Sequence, residues 1–179
     1  MKETAAARRY ARAFLDTFKD AGSKLETVSE EIKAISGAIA GSHELRSLLL
    51  NPAVSEAQKK GILDGVMQSM KTGKEAAGAI RLVLLKGRIA HIGEIAEEFE
   101  KMAFETLNKV RADVVTAVDL SSDEERKLLS ALSRLTGKTA VITVKKDPSL
   151  IGGVVVKIGS SVYDGSVRNQ LKSLRVGIN

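Results

Sequence analysis

The sequence has no cysteine and no tryptophan, and only two prolines and two histidines. Without cysteine, disulfides, thiolate metal sites and cysteine nucleophiles are excluded. Aromatic residues make up 3% of the 179 residues, so any core must be built from Leu, Ile, Val, Ala and Met. Hydrophobic content of 44% and charged content of 28% are ordinary for a globular protein of one domain or two small ones.

Long apolar runs are also missing. The longest covers 150–156 and contains two glycines, whereas a membrane-spanning helix needs about 18 apolar residues. Arg8, Arg9 and Arg12 lie near the start, but Asp16 follows and no apolar segment does, which argues against a signal peptide. An organelle presequence stays open as an alternative. We expect no direct insertion into a membrane.

Positive charge is concentrated in the second half of the chain. The net charge is +6; residues 1–105 hold 16 Lys+Arg against 15 Asp+Glu, and residues 106–179 hold 12 against 7. A basic second half favours an acidic partner, which could be protein, nucleic acid or anionic lipid.

The first hundred residues have helical periodicity almost throughout. Glycines or Asn-Pro separate the helices, and Ser23 with Glu26 and Ser55 with Gln58 have the spacing of capping boxes. The sequence therefore predicts a bundle of six short helices over 1–108. Two apolar stripes define its core side: Ala7, Tyr10, Ala11, Phe14 and Phe18 in the first helix, and Leu25, Val28, Ile32, Ile35 and Ile39 in the second.

Near residue 110 the hydrophobic periodicity of the sequence changes. Residues 109–179 have the alternating strand and helix patterns of a small α/β domain. We predict a strand at 113–120, a helix capped by Ser121 or Ser122, and strands at 139–145 and 154–158, with a short strand near Val162. A final helix begins at a cap, either Asp164 or Ser166. The predicted fold class is mainly α with a small β-α-β-β-α part.

Residue patterns for catalysis are not found. His43 and His91 lack metal-ligand spacing to a second His or to carboxylates. The triplet 137–139, Gly-Lys-Thr, lacks the first glycine of a phosphate loop and leads from helix to strand, the reverse of the required order. We predict no catalytic residues, no metal and no cofactor.

A basic nucleic-acid-binding module is the alternative function. The lysines and arginines of the second half have a single aromatic residue among them, Tyr163, so stacking platforms are missing. No helix-turn-helix or zinc-finger spacing is visible. Protein–protein interaction remains the favoured class, and nucleic acid is not an expected partner.

One C-terminal signature and two shorter stretches carry a family resemblance. Residues 147–153, 154–159 and 164–168, with the sequences DPSLIGG, VVVKIG and DGSVR, look like the signature of the delta subunit of F-type ATP synthases, called oligomycin sensitivity conferring protein in mitochondria. Residues 7–13 resemble the opening helix of that family, and 86–88 its turn between the fifth and sixth helices. The chain departs from the family only in ending at 177–179 without a longer apolar tail.

The resemblance implies a non-catalytic stator subunit that links the catalytic head to the peripheral stalk, so that rotor torque drives ATP synthesis. In the family, the N-terminal domain binds N-terminal helices of the alpha subunits, usually in a groove between the first and fifth helices. The alternative is that these apolar stripes face the bundle core. The residues implied for this groove are Tyr10, Ala13, Phe14, Ala76, Ile80 and Leu84.

The C-terminal domain of the family meets the C-terminal helices of the b subunit. The resemblance implies one copy per complex, held peripherally at the cytoplasmic face of a bacterial inner membrane. The apolar residues implied for the stalk contact are Leu150, Val154, Val156, Leu171 and Leu174, and the basic residues are Arg168, Lys172 and Arg175.

Overall fold

A computed structural model describes residues 2–18, 24–169 and 171, with side-chain surroundings from residue 5 onward. The chain divides into two compact units, Met1–Ala103 and Phe104–Asn179. The boundary predicted after residue 108 lies a few residues further on, at the first residue of the first strand.

The N-terminal unit is helical. Its last helix continues three residues past the unit boundary and ends at Thr106, before Asn108, which has a left-handed backbone with φ of 51°. The elements in chain order are α1 (Lys2–Phe18), α2 (Lys24–Gly41), α3 (His43–Leu50), α4 (Glu56–Ser69), α5 (Lys74–Leu85), a 3-10 turn (Ile89–His91) and α6 (Ile92–Thr106).

The apolar stripe predicted for α2 is confirmed, because all five of its members are buried. From α1, Phe14 meets Phe99 of α6 edge to face, with ring centroids 6.1 Å apart. Phe18 approaches the same ring at 6.4 Å. Aromatic pairs of this geometry stabilise a core beyond their buried area, and they fix α1 against α6. The capping box predicted at Ser23 lies outside the described residues.

Ion pairs at the edge of this core join α1 and α2 to α6. Arg8 Nε lies 3.1 Å from a Glu98 carboxylate oxygen, and Lys33 Nζ lies 2.8 Å from Glu100. Both cationic side chains are exposed, with 60% and 44% of their surface accessible, and such surface ion pairs contribute about 0–1 kcal/mol each. The apolar core is therefore the main source of stability in this unit.

The C-terminal unit is a four-stranded mixed sheet with one helix in the crossover. The strand order is β2-β1-β3-β4, with β1 parallel to β2 and antiparallel to β3, and β3 antiparallel to β4. Residues 167–169 and 171 are helical. The elements are β1 (Lys109–Thr116), α7 (Ser122–Thr136), β2 (Thr139–Lys146), β3 (Val154–Ile158) and β4 (Ser161–Asp164).

The predicted position of the first strand is wrong by about four residues. Pairing begins at Lys109 opposite Thr139 and ends at Thr116, so the strand occupies 109–116 and not 113–120. The left-handed Asn108 ends α6 and lets the chain enter the sheet at once. Ser121, and not Ser122, is the cap of α7.

One face of the sheet is covered by α7. Val114 of β1 pairs with Val156 of β3, and Leu132 of α7 packs into the same cluster with Ala112 and Ala140. These side chains are buried. The alternating pattern of the strands thus produces a separate small core for this unit.

Candidate docking surfaces

The groove predicted between α1 and α5 is only partly open. Phe14, Ala76 and Ile80 are buried in the core of the unit, with at most 3% of their surface exposed. Tyr10 and Leu84 are half-buried, and Ala13 is exposed. The first three side chains therefore support the helices, and only the last three are accessible at the surface.

A cavity of about 650 Å³ lies where α3, α4 and α5 meet. Leu49 at its base is buried, whereas Leu50, Leu82 and Leu85 on its walls are exposed, and Leu85 has 65% of its surface accessible. Leu84 lines the same cavity. Exposed leucines clustered around a concave site mark a surface suited to an apolar partner.

The sequence contains a signal for this cavity that the two apolar stripes of α1 and α2 do not include. Helix α5 carries apolar side chains on both sides, because Ala76, Ile80 and Val83 face the core while Leu82 and Leu85 do not. A helix that is apolar all round must be covered on more than one side. The run of three leucines that ends α3 also has to be covered on more than one side, because only Leu49 is buried.

The rim of the cavity is mainly basic. Among the described residues that line it, Lys59, Lys60 and Arg81 are basic and Glu56 is acidic. Arg81 is held by Asp64 of α4, with Nε 2.7 Å from the carboxylate oxygen. A basic rim around leucines favours an amphipathic helix that carries acidic side chains beside its apolar face.

Titratable side chains form no cluster that could hold a metal ion among the residues with described placement. His91 Nδ1 lies 3.1 Å from a Glu94 oxygen within one helical turn, and His43 is exposed at the first residue of α3. Within 2–18, 24–169 and 171, no helix is long and apolar enough to cross a membrane.

The residues predicted for the stalk contact are spread over the C-terminal unit. Val156 is buried in the sheet core, and Leu150 and Val154 are half-buried. Arg168 and Leu171 are exposed. The other three predicted residues, Lys172, Leu174 and Arg175, lie outside the described residues.

The signature segments 147–153 and 154–159 are both hydrogen-bonded to the segment 164–168. Gly165 donates its backbone N–H to the Val154 carbonyl at 2.9 Å, and Val167 donates to the Gly152 carbonyl at 3.0 Å. The exposed side chain of Ile151 lies beside this contact and was not predicted as a site residue. A large aliphatic residue before two glycines, in a turn, is the signal that could have identified it.

The fold and its surfaces are those of a protein-binding chain, with a leucine-lined cavity in a helical unit and a small α/β unit beside it in the sequence. Residues 6–177 match the ATP synthase delta (OSCP) subunit family. The ATP synthase subunit delta of Myxococcus xanthus is 37% identical over 98% of this chain and 97% of the relative. That of Desulfatibacillum aliphaticivorans is 41% identical over 98% and 95%, respectively.

A solved structure has the same fold. A chain of the cryo-EM structure of the Toxoplasma gondii mitochondrial ATP synthase hexamer superimposes with a TM-score of 0.65 at 22% identity, over 96% of each chain. The chain belongs to the ATP synthase delta (OSCP) subunit family. It is accordingly a non-catalytic subunit in the stator, or peripheral stalk, of a membrane-associated ATP synthase.

Proposed function

We propose that the chain joins the two static parts of the enzyme: the helices of its N-terminal unit form one six-helix domain that binds N-terminal helices of the alpha subunits, and its C-terminal unit binds the b-subunit stalk. One copy per complex, on the cytoplasmic face of the inner membrane, would keep the catalytic head from turning with the rotor. The observation that carries the proposal is the exposed, leucine-lined cavity at α3, α4 and α5.

The energetics of such a bridge require substantial apolar burial. Nanomolar binding corresponds to about 12 kcal/mol, and each fully buried leucine contributes about 1.5–3 kcal/mol before ordering costs are subtracted. Leu50, Leu82 and Leu85 are exposed in the free protein and would be covered by a bound helix. Several such side chains are needed because ordering the partner helix opposes binding.

Two neighbouring surfaces on the N-terminal unit suit alpha-subunit helices. One contains Tyr10, Ala13 and Leu84, as the resemblance implies, and the other is the cavity with Leu85. Leu84 belongs to both, since it lines the cavity from α5. More than one alpha-subunit helix could therefore contact α5 at once.

The test uses the full-length protein and a synthetic peptide of the alpha-subunit N-terminal segment, with the dissociation constant measured by calorimetry. Ile80→Asp is unsuitable because Ile80 is fully buried and a charge there would disturb the core. We therefore choose Leu85→Gln in the cavity and Ala13→Glu on α1, both at exposed positions. The matched controls are Leu135→Gln, a leucine with 57% exposure on α7, and Ala5→Glu on α1.

We expect either site variant to weaken peptide binding about tenfold or more, and both controls to bind as the unmodified chain does. Failure of the unmodified chain to bind would refute the proposed head contact. Binding that withstands both Leu85→Gln and Ala13→Glu would refute the two surfaces assigned to it.

A further inference from the structure

The loop before β3 and the segment after β4 cross at van der Waals distance. We call residues 151–153 and 165–167 together the loop crossing. Two backbone hydrogen bonds close it, from Gly165 N to Val154 O at 2.9 Å and from Val167 N to Gly152 O at 3.0 Å. These bonds attach the start of the last helical segment to the start of β3, which is an interior strand of the sheet.

Glycine is required at the crossing for reasons of space. Gly153 has φ of +83°, and a Cβ there would lie 2.4 Å from the Gly165 carbonyl oxygen. A Cβ on Gly165 would lie 3.2 Å from the Val154 carbonyl oxygen. Both contacts are with backbone atoms, so a side chain at Gly153 forces the two segments apart.

Side-chain hydrogen bonds fix the helical turn that leaves the crossing. Ser166 is buried; its N–H donates to Asp164 Oδ1 at 2.9 Å, and its Oγ accepts from the N–H of Asn169 at 3.2 Å. Asn169 Nδ2 also donates to the Asp164 carbonyl at 3.0 Å. The direction of this turn is therefore set by the crossing and by its cap together.

The crossing brings exposed aliphatic side chains to one place. Ile151 is 70% exposed and adjoins Gly152, whose missing Cβ would lie 3.2 Å from Val167 Cγ2. Leu171 is 57% exposed and follows Val167 by four residues, which places both on the same face of a helix. Such a group exposed on a small unit indicates a binding surface.

We propose that the loop crossing holds Ile151, Val167 and Leu171 as one apolar contact for a b-subunit stalk helix, with Gly153 and Gly165 as positioning residues. The inference rests on the proposed function of the C-terminal unit. The exposed Arg168 beside Val167, in a half of the chain with excess positive charge, fits a stalk helix that carries acidic residues next to its apolar face.

The first test addresses the surface. Full-length protein is titrated with the C-terminal segment of the b subunit, and Ile151→Gln is compared with Val118→Gln, which changes an aliphatic residue of matching exposure, 67%, in the same unit. We expect about tenfold weaker binding for Ile151→Gln and unchanged binding for Val118→Gln. Equal affinities for the two variants overturn the assigned surface.

The second test addresses the positioning glycines. Gly153→Ala is compared with Gly159→Ala, because Gly159 also has positive φ, +58°, but has open space around its missing Cβ. Both variants carry the left-handed penalty, and only the first separates the crossing. Gly165→Ala is the milder variant, since it asks for a shift of a few tenths of an ångström and keeps the sheet in place.

We expect Gly153→Ala and Gly165→Ala to weaken stalk binding several-fold more than Gly159→Ala, and to speed amide hydrogen exchange at Asn169. Their affinity for the alpha-subunit peptide should stay unchanged. Loss of stability without loss of stalk affinity in the folded protein overturns the positioning role. If the unmodified chain does not bind the b segment at all, the proposed function has failed and not only this inference.

Discussion

Glu31 supports the start of a helix that lies 42 residues further along the chain. Helix α5 begins after Gly73, which has no side chain to cap it. A Glu31 carboxylate oxygen accepts the Gly73 N–H at 3.0 Å instead, and a Cβ on Gly73 would lie only 3.0 Å from that oxygen. The carboxylate therefore acts as a cap supplied by α2, which ties α2 to α5, the helix that lines the leucine cavity.

Replacing this carboxylate should destabilise the N-terminal unit. We expect Glu31→Ala to lower the free energy of unfolding by about 1 kcal/mol, as the loss of a helix cap does. Urea unfolding followed by circular dichroism measures the change. Glu30→Ala is the matched control, because Glu30 is the adjacent, exposed residue of the same helix; equal effects of the two substitutions would contradict the capping role.

At the scale of whole elements, α4 and α7 begin with the same capping-box arrangement but with different chemistry. The box of α4 pairs Ser55 with the neutral Gln58, and that of α7 pairs Ser121 with Glu124. Hydrogen bonds from the Ser121 side chain and backbone lower the pKa of Glu124 below its ordinary value of 4.5. Only the capping box of α7 contains a carboxylate, so only this box can change its hydrogen bonding as the pH falls.

The α7 box should open as the pH falls. Because the pKa of Glu124 is lowered by folding, its stabilising contribution is present above pH 4.5 and is lost as the pH drops through the folded-state value. We expect amide exchange at Ser121, whose N–H donates to the Glu124 carboxylate, to accelerate on acidification, after correction for intrinsic rates, with no matching change at Ser55, whose N–H donates to the neutral Gln58 side chain. A parallel change at both amides would contradict the prediction, and Ser121→Ala should return the pKa of Glu124 toward its ordinary value.

The sequence predicted helices and their caps better than it predicted the first strand. Helical periodicity identified the α2 stripe because every member is apolar and buried. In β1, the charged Lys109 and Arg111 look like helix surface, yet Arg111 is half-buried, with its guanidinium carbon 5.3 Å from the centre of the Phe104 ring. A charged side chain that packs over an aromatic ring is partly buried, and a hydropathy pattern does not reveal this burial.

The docking residues were harder to predict than the fold. Periodicity indicates that Ile80 and Leu85 are both apolar, but only packing determines that Ile80 is covered and Leu85 is exposed. The resemblance supplied α1 and α5 as a pair, and it did not indicate the cavity at α3 and α4. Ile151 has no periodic neighbours at all, so it is recognised only where two loops meet.

At the scale of the whole molecule, a tether must hold at both ends at once. The proposed contacts belong to different units, so Leu85→Gln and Ile151→Gln change surfaces that have no residue in common. Substitutions without shared partners usually add. Each variant should therefore weaken one partner and leave the affinity for the other unchanged.

Function should nevertheless fail with either substitution. We expect Leu85→Gln and Ile151→Gln each to reduce ATP-driven proton pumping in membranes reconstituted with limiting amounts of the chain, while ATP hydrolysis by the free catalytic head stays unchanged. Val118→Gln and Leu135→Gln serve as controls. Full pumping with either site variant would argue against the corresponding contact being needed to hold the head.

The placement of the two tyrosines gives each unit its own optical signal. Tyr10 lies half-buried on α1 and Tyr163 is exposed on β4, and the chain has no tryptophan to mask their emission. Replacing one of them at a time by tryptophan would yield a fluorophore confined to one unit. Occupancy of either end could then be followed in an assembling mixture without any attached label.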